Sequence, residues 1–268
     1  MTQLKAGIDA GGSLVKIVYQ EKQNMHYRKF PIAEMDAAIS WLKMLAPDLK
    51  VALTGGKAHK IQQRYFPNGL MVPEFQATFE GTRMLLLEKG KQIASPFIVI
   101  NIGTGTSWYL INGDGYERIL GSGIGGGTFT GLGSLLTNIE DFHQLADLTS
   151  KGEKGNVDLL VKDIYESAET PINGNLSAAN FAKGNTVKNS NADRLTSLAN
   201  MIAETVTLLT LQAAAMHHVK EVILIGSTLV GFETFVKMLT QYMEMVGLSA
   251  AFLNRGEYCG AIGAFLSV

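Results

Sequence analysis

The placement of its glycines constrains this chain most. Three clusters, Asp9-Ala10-Gly11-Gly12-Ser13, Gly103-Thr104-Gly105-Thr106-Ser107 and Gly226-Ser227-Thr228, each end a short apolar run and carry a small hydroxyl residue. A fourth, Gly121-Ser122-Gly123-Ile124-Gly125-Gly126-Gly127-Thr128, follows a strand-like run and opens a helix-like one. Glycine tolerates positive φ and close backbone approach, so successive N–H groups in such a bend can point at one anion. Hydroxyls add donors, a helix N-terminus adds partial positive charge, and Lys16, three residues beyond Ser13, supplies a cation. One such bend is an ordinary tight turn. Four of them at strand ends imply a fold that gathers them around phosphate groups.

The apolar pattern says how the bends are presented. Leu4–Ile8, Ser13–Gln20 and Met25–Phe30 read as strands, broken at Gly11-Gly12 and over 21–24. Ile32–Leu45 carries Ile32, Met35, Ala38, Ile39, Leu42 and Leu45 at helical spacing, and Leu49–Leu53 reads as a strand ending at Thr54-Gly55-Gly56. A helix is expected from Glu74 to Lys89, stopped by Gly90. Phe97–Asn101 is a continuous apolar run, as in a buried strand. Thr106–Ile111 and Tyr116–Leu120 follow, joined by the hairpin signal Asn112-Gly113-Asp114-Gly115. Residues 4–30 and 97–120 therefore look like two copies of one unit, and a spacing of about 95 residues points to two similar lobes, 1–94 and 95–268.

In the second half, Phe129–Leu136, Ile139–Thr149 and Val157–Tyr165 read as short amphipathic stretches, and the polar Asn173–Asn191 as loop. Arg194–His218 reads as one long helix, apolar or small almost all round, which has to be buried in the core or against a second subunit. Glu221–Ile225 (strand), Phe232–Met245 (helix), Ala250–Leu253 (strand) and Gly260–Leu266 (helix) complete the chain.

Charge and composition exclude several classes. Lys plus Arg is 23 and Asp plus Glu is 24, for a net charge of −1, so no basic excess points to nucleic acid or anionic membrane. The apolar runs fall far short of the ~18 residues a membrane span needs. The start, Met1-Thr2-Gln3-Leu4-Lys5, lacks the apolar region of a signal peptide, so a cytoplasmic protein is expected. The single cysteine, Cys259, rules out an internal disulfide or a Cys-based metal cluster and reads as a small buried side chain. His26, His59 and His143 have no ligand spacing, and His217-His218 suits the negative end of a helix. Gly121, Gly123 and Gly126 match G-x-G-x-x-G literally, but the strand before them belongs to a hairpin, so nicotinamide or flavin binding is not expected. The P-loop is absent, since Gly56-Lys57 is followed by Ala58.

Ile8-Asp9-Ala10-Gly11-Gly12-Ser13-Leu14-Val15-Lys16 resembles the first phosphate loop of the actin, hexokinase and Hsp70 superfamily. Gly103-Thr104-Gly105-Thr106-Ser107 resembles its second phosphate loop, Ile225-Gly226-Ser227 its adenosine loop, and Gly260-Ala261-Ile262-Gly263-Ala264 its second hinge element. The resemblance implies an α/β, two-lobed, actin-like (ribonuclease H-like) ATPase fold, with duplicated mixed sheets flanked by helices and ATP in the cleft. Pro73-Glu74-Phe75, Tyr116-Glu117-Arg118 leading into Gly125-Gly126-Gly127-Thr128-Phe129, and the run Val157–Tyr165 are similar to type II pantothenate kinases. That likeness implies ATP-dependent phosphorylation of pantothenate to 4′-phosphopantothenate, the committed step towards coenzyme A, in a homodimer joined through 194–218.

The resemblance also implies roles. Glu74 would take the hydroxyl proton; at the positive end of a helix its pKa is expected to fall, which makes it a positioned acceptor more than a strong base. Asp9 would hold Mg²⁺ through water, as that hard ion prefers. Gly11, Gly12, Ser13, Lys16, Thr104, Gly125, Gly126, Gly127, Thr128, Gly226 and Ser227 would bind ATP together with Asp9, with Phe142 near the adenine. Thr106, Ser107 and Arg118 would bind the acceptor, the Arg118 fork meeting the pantothenate carboxylate. Two other readings stand beside this one. The first is an amino-sugar or hexose kinase of the same superfamily, without the multi-cysteine zinc motif. The second is a non-metabolic ATP-driven switch, for which 268 residues leave little room for a partner-binding domain.

Overall fold

The computed structural model describes residues 4–46, 48–90, 96–165, 169–185 and 189–268. The first apolar alternation forms an antiparallel meander, β1 (Lys5–Ala10), β2 (Leu14–Glu21) and β3 (Asn24–Pro31). One 3-10 turn leads into α1 (Met35–Leu45), whose Met35, Ala38, Ile39 and Leu42 are buried at helical spacing. β4 (Lys50–Thr54) pairs parallel with β1; α2 (Ala58–Tyr65) and β5 (Leu70–Met71) follow, giving the order β3-β2-β1-β4-β5. The sequence reading has no counterpart to α2 or β5. α2 buries only Ala58 and Ile61, too little to make a period, and β5 has two residues. α3 (Glu74–Glu88) starts directly after Pro73, whose ring favours a helix start and blocks continuation backwards.

β6 (Phe97–Ile102), β7 (Thr106–Asn112) and β8 (Gly115–Ser122) repeat the meander. Then come α4 (Gly126–Thr137), α5 (Phe142–Thr149), β9 (Leu159–Leu160), α6 (Val161–Ile164), β10 (Ser177–Ala179) and α7 (Asn191–Met216). β11 (Glu221–Ile225), α8 (Glu233–Met245), β12 (Ser249–Phe252) and α9 (Cys259–Leu266) close the chain. Taken from its far edge the second sheet runs β8-β7-β6-β11-β12, with β11 parallel to both neighbours, which is the topology of the first sheet strand for strand. The duplication thus extends to five strands, beyond the three legible in sequence.

Three details depart from the sequence reading. Val157–Tyr165 is no amphipathic helix: it divides into β9 and the single turn α6. The polar segment 173–191 contains β10, which pairs antiparallel with β9. α7 begins at Asn191, three residues earlier than its apolar period, because Ser190 and Asp193 form a capping box that has no apolar signature. The boundary expected at 94/95, and Met1–Gln3, lie outside the described residues.

The layers show what holds the cleft. One core fills the space between the first sheet and α1 and α2, and another the space between the second sheet and α4, α5, α7 and α8. A third joins the two sheets through α3 and α9, with Val18, Phe79, Val99, Ile223 and Ile262 among its members. α9, the last element, lies against α3, β1 and β4. The approach is backbone to backbone: a Cβ at Gly263 would stand 1.9 Å from the Ala77 carbonyl oxygen. α7 is long and apolar enough to cross a bilayer by length and composition, but it packs against α4, α5 and α8, and the Trp108 indole donates to Thr210 Oγ1 on it at 2.8 Å.

Candidate active site

All four glycine clusters come together. The β1–β2 bend is closed by Gly11 N–H donating to Leu14 O at 3.0 Å, and the β6–β7 bend by Gly103 N–H donating to Gly105 O at 2.9 Å. The two bends meet across the cleft, where Ser13 Oγ and Thr104 Oγ1 are hydrogen-bonded at 3.0 Å. The bend after β11 is tied in by Thr228 Oγ1, which donates to Gly103 O at 2.8 Å. The start of α4 is tied in by Gly126 N–H and Gly127 N–H, donating to Gly103 O at 2.8 Å and to Thr104 O at 2.9 Å. Those two amides are therefore engaged, and what the α4 start offers the cleft is glycine surface more than free donors.

Two adjoining cavities open at this junction. The larger, about 840 Å³, takes Leu14, Lys29, Phe30 and Pro31 from the first sheet's side. Its opposite wall is Gly126, Gly127, Thr130, Gly131, Glu140, Asp141, Phe142, His143, Thr228 and Val230. The smaller, about 510 Å³, is lined by Asp9, Gly11, Gly12, Lys16, Glu74, Asn101, Gly105, Thr106, Ser107, Tyr109, Arg118, Gly121, Ser122 and Gly123. Ser13, Leu14, Gly103, Thr104 and Ser227 line both. A molecule with a phosphate chain between the bends would reach from one into the other.

Three of the residues singled out in sequence stand behind these walls. Gly125 packs on the backbone of Thr104 and Gly105. Thr128 Oγ1 donates to Gly123 O at 3.0 Å and accepts from Gly125 N–H at 3.3 Å. Gly226, at φ +116°, lies against the backbone of Ile102. Thr106 does line the smaller cavity, but it is buried and its hydroxyl donates to Ile124 O at 2.7 Å. Phe142 opens α5 and packs edge-on against Phe129 and Phe232, with the rest of its surface on the larger cavity.

Charge concentrates in the smaller cavity. Lys16 Nζ donates to Asp9 Oδ2 at 3.3 Å, both half-buried. Glu74, the first residue of α3, stands close enough to feel Asp9, Lys16 and Arg118. Its pKa is raised, contrary to the lowering expected from the helix end: loss of hydration between the cleft walls dominates, the negative Asp9 adds to it, and Lys16 and Arg118 oppose it. A carboxylate of raised pKa is a better proton acceptor when ionised, which suits Glu74 to act as a base more than as a mere positioner.

Arg118 reaches the cavity through a device invisible in sequence. Trp108 pairs with Leu120 but Tyr109 with Arg118, which leaves Ile119 as the extra residue of a β-bulge. Strict alternation would have set Arg118 opposite Leu110, on the other face. The bulge turns it to the face of Ser107 and Tyr109, where its Nε donates to Ser107 Oγ at 3.4 Å and its guanidinium stands 5.7 Å from the Phe75 ring centre. Gly121 makes the space, since a Cβ there would fall 1.8 Å from Arg118 Nη2. Tyr109, not singled out from sequence, closes the cavity behind Ser107; burial pushes its phenol up to about 12. The signal available for it was its place two residues after Ser107 on one strand face.

Asp9 is the residue suited to a divalent cation. Among the described residues no cluster of three His, Cys, Asp or Glu forms a metal cage. Mg²⁺ is held by one or two carboxylates plus substrate phosphates and water, so a single carboxylate beside phosphate-binding bends fits it. A Cβ at Gly260 would approach Asp9 Oδ2 to 2.8 Å, so the carboxylate depends on glycine for its room. Cys259 is fully buried and its thiol is pushed up to about 12, which leaves it inert.

Comparison with known proteins agrees with this geometry. The sequence signature of the Fumble family matches residues 72–267. A type II pantothenate kinase of Oceanobacillus iheyensis is 39% identical over 98% of this chain and 99% of that protein. One from Bacillus cereus (strain AH820) is 40% identical over 97% of this chain and 96% of that protein. Among solved structures, component A of the Acidaminococcus fermentans (R)-2-hydroxyglutaryl-CoA dehydratase superposes with a TM-score of 0.68 at 16% identity, covering 100% of this chain and 98% of that one. A ROK family glucokinase from Streptomyces griseus, in complex with glucose and AMPPNP, superposes with a TM-score of 0.58 at 13% identity, covering 99% of each. At such identities these two speak for the fold alone: it is the α/β fold of duplicated mixed sheets that actin-like ATPases and ROK kinases share. Full-length identity near 40% to enzymes of one name, with the Fumble signature over most of the chain, places it in the Fumble family, among the type II pantothenate kinases.

Proposed function

We propose that this protein transfers the γ-phosphoryl group of ATP to pantothenate, forming 4′-phosphopantothenate and ADP at the entry to coenzyme A synthesis. The observation that carries it is the junction of the two cavities: one wall of glycine bends serves both, and the smaller cavity holds a carboxylate, Glu74, and a guanidinium, Arg118, on opposite elements. The nucleotide takes the larger cavity, its adenine towards Phe142 and Val230 and its phosphates towards Gly11–Ser13 and Gly103–Gly105. Pantothenate takes the smaller one, its carboxylate on Arg118 and Ser107.

Its 4′-hydroxyl oxygen attacks the γ-phosphorus in line, the bond from that phosphorus to the β–γ bridging oxygen breaks, and ADP departs with the electron pair. The hydroxyl proton passes to the Glu74 carboxylate. Lys16 offsets negative charge at the bends. Mg²⁺, held by Asp9 through water, would neutralise phosphate charge when bound. The same reading sets the protein in the cytoplasm, as a homodimer through α7, which buries Leu195, Leu198, Ile202 and Val206 in the core and leaves Leu208 and Met216 59% and 77% exposed. Light scattering should then give a particle of twice 29.0 kDa; a particle of 29.0 kDa would refute the dimer.

ADP release by purified protein tests the reaction. Pantothenate should stimulate it, while glucose and N-acetylglucosamine should not. Stimulation by a sugar alone would move the protein to the sugar kinases. Slow ATP hydrolysis indifferent to every acceptor would make it a nucleotide-driven switch.

A further inference from the structure

β1, β2 and β3 lie side by side, and their register sets Asp9 opposite Lys16 and Lys16 opposite Lys29. Directly opposed residues share a sheet face with their Cβ atoms about 5 Å apart, so the three form one row. Lys16 turns inward to Asp9. Lys29 keeps a like-charged neighbour, and among the described residues no carboxylate lies within ion-pair distance of it. Like charges directly opposed destabilise a sheet. Lysine on an edge strand such as β3 commonly serves to discourage pairing with other chains. What sets Lys29 apart is that it lines the larger cavity, as do Ser13 and Thr104, and is the only lysine or arginine among that cavity's described residues.

We infer that Lys29 is a second cation for the phosphate chain of the nucleotide. This rests on the larger cavity being the nucleotide site. Lys16, paired with Asp9, lines only the smaller cavity, and the Gly126 and Gly127 amides are spent on loop carbonyls, so positive charge on the larger cavity's part of the wall has to come from elsewhere. Lys29 supplies it from the first sheet, and a bound polyphosphate relieves the repulsion between the two lysines.

Calorimetric affinities for ATP, ADP and AMP, measured on wild type, Lys29→Met and Lys29→Arg, test this together with the melting temperature of each protein without nucleotide. Lys29→Met should lose about tenfold in ATP affinity, the scale of an exposed charge-assisted contact, with a smaller loss for ADP and the smallest for AMP. Lys29→Arg should keep ATP affinity. The nucleotide-free melting temperature of Lys29→Met should hold or rise, since a like-charge pair is removed. Unchanged ATP affinity in Lys29→Met, an equal loss for AMP, or a lowered nucleotide-free melting temperature would overturn the assignment. Wild-type protein that binds no ATP would instead overturn the nucleotide site itself, so the two failures are distinguishable.

Discussion

Replacing Glu74 with glutamine should lower kcat for pantothenate phosphorylation by about 10²- to 10⁴-fold, the usual contribution of a general base, while ATP affinity stays as it was. The substitution keeps the shape and reach of the side chain at the start of α3 and removes its negative charge and, with it, the capacity to take a proton. Because loss of hydration and the nearby Asp9 raise the Glu74 pKa, the wild-type acid limb should lie above the 4.5 of an ordinary glutamate. The sign follows from the role: the ionised form is the base, so kcat/KM falls as pH drops through that raised pKa. The glutamine variant should show no such limb. Turnover equal to wild type would remove Glu74 from the reaction.

Arg118→Ala should raise the KM for pantothenate by about 10- to 100-fold, the loss expected for a two-pronged charged contact, and leave the KM for ATP unchanged. The split between substrates is the informative part. Arg118 lies in the smaller cavity, on the acceptor's side of the bends, and the larger cavity's lining does not include it, so its removal should leave the adenine end of the nucleotide's site as it was. Gly121→Val offers the same test by a different route: the new side chain would occupy the place of the guanidinium and push Arg118 off Ser107. It should reproduce the pantothenate defect with Arg118 still present. An equal rise in both KM values would instead give Arg118 a part in folding.

The strand-end bends and their hydroxyls were legible because glycine clusters and apolar runs are local signals, and so was the meander that occurs twice. The match between the two sheets was legible only in part. β5 has two residues and α2 two buried ones, so neither leaves a pattern to read. The aim of Arg118 was hidden for a different reason: it depends on Ile119 being skipped in the pairing with β7, and pairing partners are not local. Lys29 and Tyr109 share that reason, as each gains meaning from the strand beside it. The Glu74 pKa rises where the helix end alone predicts a fall, because a helix end is visible in sequence whereas cleft walls are not. The α4 amides show the reverse case, a correct position with its donors already occupied by neighbouring carbonyls.

One cleft serves two substrates, and a crystal structure with AMPPNP and pantothenate bound together would test that without intermediate steps. The expected result is the triphosphate analogue between Gly11–Ser13 and Gly103–Gly105, the pantothenate carboxylate on Arg118, and its 4′-hydroxyl within hydrogen-bond reach of Glu74. Pantothenate bound away from Arg118, or a hydroxyl turned from both Glu74 and the terminal phosphate, would contradict it.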